Sequence, residues 1–155
     1  MAEVLLSDID GTLVDSNALH AEAWRRAFEQ FGIQVGMDEV WRQIGKGGDQ
    51  LIPVFVQEAD RQRLEEPLKE LRKHIFHRQY MPRVVSFAKS RELLVRVRER
   101  GMKIALATSS DAEDLATYGR IVGMEETAGK LGIPVIGLTC GGWKLDDLMA
   151  FLSHS

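Results

Sequence analysis

Only one cysteine, Cys140, occurs among 155 residues, so no disulfide can form within the chain and its fold must rest on buried apolar surface. No apolar run approaches the roughly 20 residues that a membrane-crossing helix requires, so no membrane partner is expected. The opening Met1-Ala2-Glu3-Val4 has neither the basic flank nor the apolar stretch of a signal peptide, and the expected location is cytoplasmic. Basic residues are in slight deficit, 20 Lys and Arg against 23 Asp and Glu, for a net charge of -3. Without a general positive field, nucleic acid is excluded as an expected partner, and an anionic small molecule must be held by local groups. What remains is 45% hydrophobic and 28% charged, enough for one well-packed core in an ordinary globular chain.

The chain is organised around Val4-Leu5-Leu6-Ser7-Asp8-Ile9-Asp10-Gly11-Thr12-Leu13-Val14-Asp15-Ser16. A short apolar run of strand character ends in two carboxylates two residues apart, followed by a glycine and a hydroxyl residue. In open parallel sheets ligands gather beyond the carboxyl ends of the strands, so paired acids there stand where a substrate binds. Taken alone, the same acids could simply form an Asp-Gly turn.

Helical signals dominate residues 16–81. Leu19, Ala23, Trp24, Ala27, Phe28 and Phe31 recur at helical spacing, with Ser16 as the expected cap and Gly32 as the close. A second helix is expected near Asp38 with Val40, Trp41 and Ile44, and a third from Asp49, where Pro53 is tolerable only in the first turn. A fourth is expected from Arg63 to Gln79, with Leu68, Leu71 and Ile75 on one face. The core resumes at Ser90, an expected cap for a helix carrying Leu93, Leu94 and Val97 and ending at Gly101. The next strand runs into Thr108-Ser109-Ser110, and Ser110 with Glu113 has capping-box spacing, which places Thr108 and Ser109 beside a helix amino end that favours phosphate.

Other residues read more plainly. Gly45-Lys46-Gly47-Gly48 can cradle an anionic group or serve as an ordinary interhelical turn. His74 and His77 share a helix face without a third ligand and read as solvated; His20 reads as a polar residue beside the hinge rather than a base. Cys140 reads as a small semi-buried residue, and Trp24, Trp41 and Trp143 as packing residues.

Asp8-Ile9-Asp10-Gly11-Thr12 is similar to the first motif of the haloacid dehalogenase (HAD) superfamily of phosphohydrolases. Leu13-Val14-Asp15-Ser16 continues it as in the phosphoglycolate phosphatase and β-phosphoglucomutase-like members. His20-Ala21-Glu22-Ala23-Trp24 and Ile44-Gly45-Lys46-Gly47-Gly48-Asp49 also resemble family segments. The resemblance implies an α/β fold: a Rossmann-like parallel sheet from residues 1–14 and 86–155, with an α-helical cap inserted over residues 15–85. It implies magnesium-dependent hydrolysis of a small phosphorylated metabolite, with Asp8 as nucleophile and Asp10 as general acid and base. Thr108 and Ser109 would hold the phosphoryl group, and Lys46 and Gly47 would touch substrate from the cap. Mg2+ would be held by Asp8 and Asp10. An acid at position 10 favours phosphate chemistry, because a leaving alkoxide needs a proton and a leaving halide does not.

The chain departs from the family pattern after Gly123. A complete member continues with a third strand, a lysine-led helix and a fourth strand ending in an acidic pair. Here Met124-Glu125-Glu126 leads directly to Thr127-Ala128-Gly129-Lys130-Leu131-Gly132-Ile133-Pro134, which resembles the helix end that follows the fourth motif. The third and fourth motifs are thus missing as a block. Lys130 falls in a helix-to-strand turn and Asp146-Asp147 in a closing helix, so neither replaces them. Lost charge stabilisation of this kind is worth roughly 3–4 kcal/mol per donor, and impaired turnover is expected. The sheet is expected either to close, with residues 133–138 beside the first strand, or to expose apolar flanks and favour a homo-oligomer. The alternative is a non-catalytic chain of this fold that at most binds phosphate esters or a partner chain. A phosphoacceptor receiver domain also uses an aspartate, a hydroxyl and a lysine, but has no helical cap between its first two strands.

Overall fold

The computed structural model describes residues 4–108, 112–123 and 135–139. The elements follow in the order β1 (Val4–Asp8), β2 (Val14–Asp15), α1 (Asn17–Gln30), α2 (Met37–Trp41), α3 (Gly48–Phe55) and α4 (Glu58–Ile75). A π-helical turn (Phe76–Tyr80) and a 3-10 turn (Met81–Arg83) follow, then β3 (Val85–Ser86), α5 (Ser90–Glu99), β4 (Lys103–Thr108), α6 (Ala112–Ile121) and β5 (Val135–Thr139). They divide into two compact units, one from residues 1–15 and 85–155 and the other from residues 16–84.

In the first unit β1 lies parallel to β4, with Leu5 opposite Ile104 and Asp8 opposite Ala107. β4 lies parallel to β5, so the strand order is β1-β4-β5 and the class is α/β with a parallel sheet. Ile104, Ala105 and Leu106 are buried in β4, and α5 covers the strand through Leu94 and Val97. Leu93, expected on that apolar face, is 47% exposed, because it precedes Leu94 by one position and points about 100° away around the helix. Residues 135–139 do not close on β1. They pair with β4 because β4, α6 and β5 form a consecutive βαβ unit, whose strands ordinarily lie side by side. Among the described residues no strand pairs with the other edge of β1, and Leu6 is 59% exposed.

A two-stranded antiparallel ribbon, absent from the sequence reading, joins the points where the chain leaves and re-enters this unit. Val14 pairs with Ser86 and Asp15 with Val85.

The second unit is helical. On α1, Ala21, Ala23, Trp24, Ala27 and Phe28 are buried at the expected helical spacing. Phe28 packs on Trp24 at 5.7 Å and on Phe55 at 5.2 Å between ring centroids. The helix ends at Gln30 with Phe31 as its cap; the Gly32 amide reaches the Glu29 carbonyl, and the φ of 74° at Gly32 turns the chain so that the Ile33 amide reaches the Phe28 carbonyl. Ser16 stands at the amino-terminal cap position, but its hydroxyl makes no capping bond; its carbonyl accepts the His20 amide. Trp41, expected to pack, is 48% exposed, since α2 ends there and only Val40 of that helix is buried.

Of the two prolines inside helices, Pro53 departs from expectation, while Pro67 falls within the expected fourth helix. Pro53 lies beyond the first turn of α3, and α4 begins at Glu58, well before Arg63, and runs through Pro67. An interior proline costs about 3 kcal/mol. Burial of Leu64, Leu68 and Ile75 on α4 contributes roughly 1.5–3 kcal/mol each, so packing outweighs the missing bond.

Glu22 joins two arginines on the α1 surface. Its carboxylate accepts from Arg25 Nε at 2.8 Å and from Arg26 Nε at 3.1 Å. The Arg25 hydrogen bond is the main reason that its pKa lies below the usual 4.5; burial opposes the shift and Arg26 adds to it. A carboxyl whose folded value is depressed stabilises above its unfolded value and loses that contribution as pH falls through the folded value. With the Glu22 side chain 26% exposed, the contribution is about 1 kcal/mol or less. Glu22→Gln should therefore weaken the protein at pH 7, by a margin that shrinks as pH falls below 4.5, as read from urea unfolding across that range.

Candidate active site

The two carboxylates that end β1 are displayed by a tightly wound turn. The Ile9 carbonyl accepts the amides of Thr12 at 3.1 Å, Leu13 at 2.8 Å and Val14 at 3.1 Å, and the Gly11 amide returns to the Val14 carbonyl at 2.9 Å. Gly11 has φ 72°, a left-handed conformation that a Cβ would disfavour by roughly 1–2 kcal/mol. Ile9, Leu13 and Val14 are buried, so the apolar residues anchor the turn while Asp8 and Thr12 face outward and Asp10 is half-buried. This alternation explains why the two acids are separated by an isoleucine: the residue between them supplies both the anchor and the carbonyl around which the turn winds.

Thr12 reaches back to the first acid, its hydroxyl donating to Asp8 Oδ2 at 3.4 Å. Ser7 donates to the Asp8 carbonyl at 2.9 Å. Neither role was read from the sequence, although Thr12 four positions after Asp8 on a turn is a recognisable signal for the first of them.

Thr108 ends β4, the strand beside β1, and is buried. It lies one residue beyond Ala107, which is opposite Asp8, so the hydroxyl residue and the first acid occupy the same end of neighbouring strands. Ser109 lies outside the described residues, as do Ser110, Lys130, Cys140, Trp143 and Asp146-Asp147.

Lys46 and Gly47 belong to the helical unit. Lys46 Nζ donates to Gln43 Oε1 at 2.6 Å. Gly47 precedes α3, and the Asp49 carboxylate folds back so close that a Cβ at position 47 would collide with it. A side chain at 47 would require the Asp49 carboxylate to swing away. Gly48 packs against Trp24 and Lys69, where an added Cβ would lie 3.2–3.3 Å from their side chains. His20 stacks on Phe76 with ring centroids 4.0 Å apart, while His74 is exposed.

The donors on the turn are oxygens. Such a set fits a hard divalent cation like Mg2+, which takes one or two carboxylates and completes its shell with water and substrate oxygens. Among the described residues no group of three or more His, Cys, Asp or Glu could hold a metal by itself.

The family described as haloacid dehalogenase-like hydrolase matches residues 5–127. A Caldanaerobacter subterraneus protein provisionally named pyrophosphatase PpaX is 29% identical over 136 residues, covering 79% of this chain and 59% of its own. Among solved structures, a hydrolase from Pseudomonas syringae superposes with a TM-score of 0.65 at 20% identity, covering 88% of this chain and 61% of the other. A haloacid dehalogenase-like hydrolase from Streptococcus pneumoniae superposes at 0.72 with 12% identity, covering 96% and 67%. The chain thus spans about three fifths of the length of the first of these relatives.

Proposed function

Because the chain belongs to the haloacid dehalogenase-like hydrolase family, we propose that it is a magnesium-dependent phosphomonoester hydrolase working through an aspartyl phosphate on Asp8. The single observation that carries this reading is the turn: an exposed Asp8 at the carboxyl end of β1, Asp10 two positions on, and Thr108 at the same end of the adjacent strand.

Phosphate esters repel anionic nucleophiles, so the site must fix the attacking oxygen in line and offset charge. The Asp8 carboxylate attacks phosphorus, the ester oxygen departs, and Asp10 supplies that oxygen with a proton. Asp10 then accepts a proton from the water that attacks the acyl phosphate, which returns Asp8 and releases phosphate. The Thr108 hydroxyl and the Ser109 amide bind the phosphoryl oxygens. Asp8 and Asp10 would hold Mg2+, which when bound would supply positive charge to offset the repulsion between two anions. The helical unit acts as a cap, with Lys46 and Gly47 contacting a small phosphorylated metabolite, and the protein works in the cytoplasm.

Turnover is reduced in this reading. The lysine and the second acidic pair of complete members are absent from the sequence, and two such losses at a hundredfold or more each lower the rate by about 10^4. The missing motifs also favour a second reading, a non-catalytic chain that binds phosphate esters or a partner chain, including a second copy of itself, through the edge of β1 that no described strand pairs with.

Turnover of an aryl phosphate with and without magnesium, paired with calorimetry using inorganic phosphate, separates these readings. Slow magnesium-dependent release supports the first; phosphate binding without release supports the second; turnover equal to that of complete phosphatases contradicts the impairment.

A further inference from the structure

Ser90 does not do what a serine at the start of a helix ordinarily does. The cap position of α5 is Lys89, and no side chain makes a capping bond there. The Ser90 hydroxyl instead donates to the Leu13 carbonyl at 2.7 Å, across 77 positions of sequence and in a buried setting. The same carbonyl accepts the Phe87 amide at 3.1 Å. Ser90 is 4% exposed and Leu13 1% exposed, so water does not compete for this bond.

The bond closes a mechanical circuit. The Leu13 amide donates to the Ile9 carbonyl, and Ile9 stands between Asp8 and Asp10. α5, which begins at Ser90, packs on β4, and β4 pairs with β1, which ends in Asp8. The acid-bearing turn is therefore held covalently at one end by β1 and at the other end by Ser90 through Leu13.

We propose that Ser90 is a positioning residue for the reaction, fixing the placement of Asp8 and Asp10 through the Leu13 carbonyl; this rests on the reading of Asp8 and Asp10 as the reacting acids. Losing the hydroxyl leaves Leu13 its bond from Phe87, so the fold survives while the turn loosens. Misplacement of a reacting group by about 1 Å can lower a rate a hundredfold, so the effect belongs in kcat.

The test uses the full chain with Ser90→Ala and Ser90→Thr. Hydrogen exchange reads the clamp without reference to activity: Ser90→Ala should speed exchange of the Leu13 and Val14 amides, and Ser90→Thr, which keeps the donor, should restore it. Magnesium-dependent turnover of an aryl phosphate reads the consequence: Ser90→Ala should lower kcat about 10- to 100-fold with KM within about twofold. Unchanged exchange in Ser90→Ala overturns the proposal, and so does faster exchange with unchanged kcat. Faster exchange together with no turnover by the parent protein upholds the clamp and overturns the functional reading instead.

Discussion

Asp8→Asn is expected to reduce magnesium-dependent release of phosphate from an aryl phosphate to the rate without protein, a loss of about a thousandfold or more from whatever rate the parent shows. The substitution changes one atom. Asparagine keeps an oxygen that can accept the Thr12 hydroxyl, and the existing bond is long and exposed. Asp8 is itself exposed at the end of β1, so stability should change by no more than about 0.5 kcal/mol. An amide is a poor nucleophile and cannot give the mixed anhydride that water then cleaves. Activity should therefore vanish from a protein that unfolds at the same urea concentration as the parent. Retained activity in a normally folded Asp8→Asn protein would remove Asp8 from the reaction.

Phe28→Ala should have the largest effect on stability, about 3–5 kcal/mol. Phe28 has no exposed surface; it joins α1 to α3 through the Phe55 ring and stacks on Trp24 of its own helix. Truncation removes those contacts and leaves a void that aromatic neighbours cannot fill without leaving their rotamers. Domains of this size are stable by about 5–15 kcal/mol, so the loss consumes much of the total. At a slope of 1–3 kcal/mol per molar urea, the midpoint should fall by about 2 M. Trp41→Ala is the control: it removes a larger side chain, but one that is 48% exposed, and should move the midpoint little.

These contrasts mark what can be read from a linear sequence. The apolar run before Asp8, the helical spacing of Ala23, Trp24, Ala27 and Phe28, and Gly32, Gly101 and Gly123 at helix ends are local signals. They correspond to β1, α1 and positive-φ glycines in the fold. The parallel α/β class and the family were likewise legible, because the Asp-x-Asp-Gly-Thr string carries its own geometry: Asp8 outward, Ile9 inward, Asp10 half-buried and a left-handed glycine after it.

Relations between distant segments were not legible. Pairing of Val14-Asp15 with Val85-Ser86 involves two residues per strand, too few for any period to emerge. Ser90 and Ser16 both looked like caps, yet local rules cannot say that a carbonyl 77 positions away will claim the Ser90 hydroxyl. Pro53 beyond the first turn of α3 was overridden by burial of Leu51 and Ile52, a tertiary gain that propensity does not contain. The placement of β5 beside β4 followed from βαβ connectivity, whereas the expectation of closure on β1 followed from the family's usual strand order.

The central claim is that Asp8 carries the phosphoryl group. Acid quenching of the protein during turnover of a labelled phosphomonoester, followed by borohydride reduction and peptide mass analysis, reads it directly, since reduction converts an aspartyl phosphate into homoserine. The account predicts homoserine at position 8 and nowhere else, dependent on magnesium. Turnover that proceeds with an unmodified Asp8, or with the modification at another carboxylate, would contradict it.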